Sequence, residues 1–146
     1  PAFKAFAGEP LFAIYDAAFS RTADYVPRSE EAWTHRHLHA HNVDPETTRV
    51  EPGKGFALVR RWEDGVAYVE LLAVHPDHAG QGYATEAARS VRDCAAAYGV
   101  DHLVALVRPD NAPSQRVARR LGMEVERTAY VHGGDALVFG MRLTRP

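Results

Sequence analysis

The segment from Val66 to Val107 constrains the fold more than any other part of the chain. "VAYVELLAV" (66–74) is apolar almost throughout, as a strand buried on both faces should be. Past the loop that ends at Gly82, residues Tyr83 to Tyr98 place Ala84, Ala87, Ala88, Val91, Ala95 and Tyr98 on one stripe. That is the pattern of an amphipathic helix, and Gly99 stops it. "VDHLVALV" (100–107) then returns to a strand pattern. Two strands joined through a helix run parallel, because a crossover of that length is what brings the chain back in the same direction.

Around this unit the apolar period changes. "EPLFAIYDAAFS" spaces Leu11, Phe12, Ile14, Tyr15, Ala18 and Phe19 at helical intervals. "PRSEEAWTHRHLHAH" predicts a second helix, with Ser29 as N-cap and acidic residues in its first turn. "TTRVE" and "GFALVRRW" predict two strands joined by a tight turn at "PGK", and Glu63-Asp64-Gly65 turns the chain into the 66–74 strand. "NAPSQRVARRLG" predicts a short helix with Asn111 as N-cap, Pro113 in its first turn and Gly122 just past its end. "EVERTAYV" and "ALVFGMRL" close the chain as a hairpin across "HGGD". The order is helix, helix, three strands, helix, strand, helix, two strands. It predicts an α/β sandwich with a mixed sheet, antiparallel at first and parallel where helices intervene. With 146 residues, no internal repeat and no low-complexity linker, residues 1–146 are expected to form a single domain.

Composition narrows the function. Hydrophobic residues at 46% and charged residues at 25% give the mix of a globular protein with a real core. A formal net charge of -2 argues against a general nucleic-acid binder, which would show a basic face. The lone Cys94 rules out an internal disulfide and a cysteine-based zinc site. No apolar stretch is long enough to span a bilayer, and no charged leader precedes an apolar run. No membrane association is expected, and a cytoplasmic location is. The chain begins at Pro1 rather than Met, which fits removal of an initiator Met or excision from something longer.

"HAGQGYATEA" (78–87) lies where the buried strand gives way to the helix. Free backbone N–H groups and the positive end of the helix dipole meet there, which suits an anion. Gly80 and Gly82 either let a phosphate approach the main chain or serve packing alone. The Walker pattern is excluded, because Tyr83 and Ala84 stand where Lys and Ser or Thr should follow Gly82. The dinucleotide fingerprint is served poorly by Thr85 and by "VDHLVALVRPD".

The stretch "LLAVHPDHAGQGYATEAARSVRDCAAAYGVDHLVALVRPDNAPSQRVARRLGMEVE" resembles the core of the GNAT superfamily of N-acetyltransferases. Within it the branch that acetylates ribosomal-protein N-termini is the most similar. The likeness runs from Val66 to Leu143 and rests on two linked motifs. One is a strand ending in "AVHP" followed by x-G-Q-G-Y-A; the other is "DNAPS...RRLGM", about thirty residues on. The resemblance implies the GNAT fold, with a mixed, mostly antiparallel central sheet, splayed parallel strands in its middle and helices on both faces. It implies acetyl-CoA as cosubstrate and no metal. The pantetheine arm would pair with the main chain at Leu72, Ala73 and Val74. The pyrophosphate would take backbone N–H groups from Gly80, Gln81, Gly82, Tyr83, Ala84 and Thr85, and Asn111 would contact the cofactor near the end of the second parallel strand. Ala79 departs from the family, which has Arg or Gln there. The lost charge-assisted contact is worth about 1.5–3 kcal/mol, so binding is expected to weaken while the backbone donors survive.

Acyl transfer to an amine needs a neutral amine, a stabilised oxyanion and a proton for the departing thiolate. Glu70 is the candidate base: it sits mid-strand, and alternation puts it on the same face as Leu72 and Val74. A carboxylate in an apolar strand is costly unless paired or working. Pairing with Arg60 or Arg61 on the neighbouring strand is the structural alternative, and deprotonation through water would satisfy both. The Tyr that much of the family uses as acid corresponds to Ala118. The similar branch implies instead a Ser in the first turn of that helix, here Ser114, which could equally only support the helix start. The late carboxylate base of that branch has no counterpart in "RTAYVHGG", where Tyr130 and His132 are the polar candidates for the substrate side. "SRTADYVPR", with Tyr25, is expected to help select the substrate.

Other features are read more plainly. His35/His39 and His37/His41 have metal-binding spacing but neither pair has a third ligand beside it, so a solvated helix face is expected. Cys94 is expected to pack rather than react. Arg116, Arg119 and Arg120 make a basic patch, either solvated or a contact to a 3′-phosphate of the cofactor. The expected protein is an acetyl-CoA-dependent N-acetyltransferase acting by direct transfer on a small-molecule amine or a protein N-terminus, with a homodimer compatible with the sequence. A non-catalytic acyl-CoA-binding module is the alternative from another class. One half of a tandem protein is a third, since "PAFKAFAGE" shows no first strand.

Overall fold

The computed structural model describes residues 3–20, 25, 27–39, 43–63, 65–131 and 133–144. In chain order these form β1 (Lys4–Ala5), α1 (Phe12–Phe19), α2 (Glu30–His37), β2 (Arg49–Glu51), β3 (Gly55–Glu63), β4 (Val66–Val74), α3 (Tyr83–Ala97), β5 (His102–Val107), α4 (Ala112–Leu121), β6 (Glu124–Val131) and β7 (Gly134–Arg142). The strands make one mixed sheet in the order β1-β2-β3-β4-β5-β7-β6. Among the described strands only β4 and β5 pair in parallel, as the intervening helix requires.

Alternation along β3 divides the core in two. Ala57 and Val59 pack on the α3 and α4 side with Val91, Leu103 and Leu121. Phe56 and Leu58 pack on the α1 and α2 side with Ile14 and Trp33. The helix punctuation is as predicted. Ser29 Oγ accepts from the Ala32 N–H at 3.1 Å, and Asn111 Oδ1 accepts from the Ser114 N–H at 3.2 Å. Gly122 ends α4 in left-handed backbone, with φ 107°.

Two departures have physical causes. β1 exists although no strand period shows in the sequence: two exposed residues are too few to carry one. It is held by pairing Lys4 with Val50 and Ala5 with Arg49, and the Arg49 guanidinium donates to the Phe3 carbonyl at 3.1 Å. β4 is not buried on both faces. Of its residues only Ala67 and Ala73 are fully buried, because part of the strand borders an open cleft instead of a packed neighbour.

Trp33 anchors the α1/α2 half of the core. It is 0% exposed, with ring centroids of Phe12, Tyr15, Phe56 and His37 within 5.1–6.2 Å. Trp33→Ala is expected to lower unfolding stability by about 3–5 kcal/mol in a urea titration. A loss below about 1 kcal/mol would show that this face is not a packed core.

Candidate active site

β4 and β5 pair only from Val66–His102 to Val69–Ala105; beyond that register the two strands run on without each other. The cause lies on the other side of β4. β3 pairs Leu58 with Leu71 and Val59 with Val69, so Glu70 is an extra residue with no partner of its own. Such a bulge bends its strand and increases its twist. Among the described residues, the edge of Glu70–Val74 that looks toward β5 has no strand partner.

A cavity of about 210 Å³ passes through the sheet at this gap. On the α3/α4 side its walls are apolar, among them Ala88, Val91, Leu103, Ala118 and Leu121. Phe19, Leu71 and Leu106 border it toward α1. Its polar lining is confined to Glu70, Arg108, Asn111 and Ser114, at the gap and the start of α4. Two strand ends and a helix start thus bring together Glu70, Leu72, Asn111 and Ser114, which lie far apart in sequence.

The bulge corrects one expectation. Strict alternation puts Glu70 with Leu72 and Val74; instead Leu72 packs on the α3/α4 side while Glu70 turns to the α1/α2 side. There its Oε1 accepts from Arg60 Nε at 2.9 Å and Nη2 at 2.8 Å, and its Oε2 accepts from His37 Nδ1 at 3.2 Å. Burial pushes the Glu70 carboxyl up, but the hydrogen bonds from His37 and Arg60 outweigh it and hold the group below the usual carboxylate range. Beside it the Tyr68 hydroxyl is pushed up to about 12, by burial first and then by the Glu70 charge.

His37 is the residue that sequence reasoning misplaces. It was expected on a solvated helix face, yet its side chain is only 12% exposed and sits against the Trp33 ring at 5.2 Å. The signal was available: His37 lies one helical turn after Trp33, on the stripe that carries the most apolar residue of α2. His35 and His39 do pack edge to face at 5.9 Å, while His41 lies outside the described residues. Among the described residues no group of three or more His, Cys, Asp or Glu side chains is placed to hold a metal.

The glycine loop sits at the carboxyl end of β4 and leads into α3. Gly80 (φ 76°) and Gly82 (φ 84°) are both in left-handed backbone, and an added Cβ at either would meet no atom of the described residues within 4 Å. Neither glycine makes room for another part of the protein, so packing does not account for them; backbone conformation does. Gln81 is exposed, and Tyr83, Ala84 and Thr85 form the half-buried first turn of α3. Lys54, from the turn between β2 and β3, places its ammonium 5.4 Å from the Tyr83 ring centroid. A cation therefore stands at the start of α3, where Ala79 supplies none.

The remaining candidates scatter. Ala73 is buried on the α1/α2 side, and Val74 pairs with Gly55. The Tyr25 hydroxyl donates to Asp16 Oδ1, which raises the phenol above its usual range. Tyr130 is 74% exposed on edge strand β6 and is not among the cavity-lining residues; His132 lies outside the described residues. Cys94 is packed, donating to the Glu46 carbonyl at 3.3 Å, and Arg119 lies 5.3 Å from the Phe139 ring centroid. No described helix is long and apolar enough to cross a membrane.

Solved structures share this architecture. The ribosomal-protein-S18-alanine N-acetyltransferase from Escherichia coli superposes with a TM-score of 0.74 at 20% identity, covering 99% of this chain and 94% of that one. Ard1 from Thermoplasma volcanium gives 0.76 at 16% identity, covering 98% and 97%. The yncA protein of Salmonella typhimurium, solved with its cofactor acetyl-CoA, gives 0.71 at 21% identity, covering 100% and 96%. No match is found among curated protein sequences. Residues 10–124 match the family model described as acetyltransferase (GNAT) domain, and the chain belongs to that family.

Proposed function

We propose that this protein is an acetyl-CoA-dependent N-acetyltransferase that moves an acetyl group directly to a primary amine, either a protein N-terminus or a small molecule. The observation that carries the proposal is the cavity through the β4/β5 gap, with Glu70, Asn111 and Ser114 in its polar lining. The residues fit the coenzyme. The unpartnered edge of β4 can pair with the amides of a pantetheine arm at Leu72, Ala73 and Val74. The loop from Gly80 to Thr85 has no described side chain within 4 Å of a Cβ added at either glycine, and a helix start lies behind it. Asn111 spends its carbonyl oxygen on the α4 cap, so its amide group is the donor left for a ligand. Tyr25 and Tyr130 remain candidates for the acceptor side.

Acetyl-CoA supplies the activated acyl group; the chain supplies placement and proton traffic. A carboxylate held ionised by two partners is a weak proton acceptor, so Glu70 acts chiefly by fixing His37 and Arg60. The amine proton leaves through water toward the His37–Glu70 pair. Ser114 lies one turn before Ala118 on the cavity side of α4, and its hydroxyl relays a proton to the departing thiolate while taking one from solvent water.

Following free thiol with acetyl-CoA and a panel of peptides and amines tests the proposal. Acceptor-dependent release is expected, with Ser114→Ala slower by roughly a hundredfold. Coenzyme binding without turnover on any acceptor would instead support a non-catalytic acyl-CoA-binding module, a reading that Ala79 and Ala118 favour. The depressed Glu70 carboxyl makes a separate prediction. Its contribution to stability is present above the ordinary value of 4.5 and fades as pH falls through the lower folded-state value. Glu70→Gln should therefore cost about 1–3 kcal/mol at neutral pH and show a shallower loss of stability in acid. Parallel acid-unfolding curves for the two proteins would contradict this.

A further inference from the structure

We propose that the cavity is an acyl-chain chamber and that the protein transfers straight acyl groups longer than acetyl. This rests on the acyl-CoA reading of the same site.

The size of the space is the first observation. At about 210 Å³ it exceeds the roughly 150 Å³ apolar cavity that accommodates a benzene ring. Native cores hold few voids larger than a water molecule, because every atom lining a void forfeits dispersion contacts. Here three alanines face one space from three elements: Ala57 on β3, Ala88 on α3 and Ala118 on α4. A larger side chain at any of them would close the core. The pantetheine arm would take the part of this space along Leu72 and the polar end; the apolar part between Ala57, Ala88 and Ala118 is what an acetyl methyl leaves uncovered and an alkyl tail covers.

Shape and polarity indicate the kind of group. The polar lining stops at Glu70, Arg108, Asn111 and Ser114. Beyond them the walls offer no side-chain hydrogen bond, so a terminal carboxylate or hydroxyl would be desolvated without a partner. The far end is formed by Leu103, Leu121 and Met123, each no more than 6% exposed. Leu103 pairs with Ala67, so this end lies under the part of the sheet where β4 and β5 are still joined, away from the gap. A thioester at the gap can thus direct its tail inward, and the closed end sets a maximum length. In the transfer itself the acyl C–S bond breaks and an amide C–N bond forms. The amine gives up one proton and the coenzyme thiolate takes one, so no redox partner is needed.

Calorimetric titration of the intact protein with CoA, acetyl-, butyryl-, hexanoyl- and decanoyl-CoA tests the proposal by binding alone. Affinity is expected to rise by up to about fourfold per added methylene from acetyl to the chain that fills the chamber, then to fall at decanoyl. Filling the chamber with Ala118→Leu should abolish that rise, so that within this variant the longer thioesters bind no more tightly than acetyl-CoA. Ala88→Leu closes the same space from the opposite wall, in case the first variant does not fold. Thiol release with an amine panel should likewise be faster with the best-fitting acyl-CoA than with acetyl-CoA. Equal or weaker binding of every chain longer than acetyl, with acetyl-CoA bound, overturns the chamber and leaves the acetyltransferase reading standing. Failure of CoA and all its thioesters to bind overturns both.

Discussion

One extra residue in β4 governs the centre of the molecule. With Glu70 inserted against β3, β4 cannot hold its pleat, its pairing to β3 and its parallel pairing to β5 together along its whole length. The pairing to β3 is kept and the pairing to β5 stops at Val69. A parallel sheet covered by helices would otherwise be dry and fully bonded at this point. The bulge instead leaves an opening through the sheet, with backbone donors and acceptors along one side. The cavity, the approach to both faces and the position of Glu70 all follow from that single displacement.

The same displacement explains why α2 matters. Glu70 emerges on the α1/α2 side, where an unpaired carboxylate would be heavily penalised by burial. Arg60 and His37 remove the penalty from two directions, one from the adjacent strand and one from the helix above. His37 can do so only because Trp33, one turn earlier, seats α2 against Phe56. Polar geometry at the gap therefore depends on apolar packing some residues away, and a defect in that packing would be felt first at the carboxylate.

What the sequence makes legible tracks the range of the forces involved. Helix ends at Ser29, Asn111 and Gly122 are set by neighbours a few residues away, and they read correctly. The order of elements, and the parallel pair within it, follows from apolar periods and from the helix between two strands. A bulge is different: it is decided by the match between two strands, and the strand that carries it keeps an ordinary apolar pattern. Glu70 was therefore singled out for the right reason, its cost in an apolar strand, but assigned to the wrong side of the sheet. His37 was lost because four histidines at alternate positions look like a polar surface unless the turn shared with Trp33 is weighed. β1 carries too few residues to have any period at all.

The glycine loop shows how far a local motif can be taken. In the sequence, Gly80 and Gly82 were equally compatible with packing and with a bound anion. Among the described residues nothing packs where a Cβ would stand at either, so the left-handed backbone is the property they supply. L-residues pay roughly 1–2 kcal/mol to enter that region, and the loop uses it twice within three residues. In the proposed function, such backbone would turn N–H groups toward the coenzyme pyrophosphate and make the main chain its principal ligand. Lys54 adds charge from the β2–β3 turn, but Glu51 holds its ammonium at 3.2 Å and neutralises part of it. Ala79 is intelligible in that setting. Where backbone geometry does the binding, a side-chain charge tunes the affinity of the loop without deciding whether the loop exists.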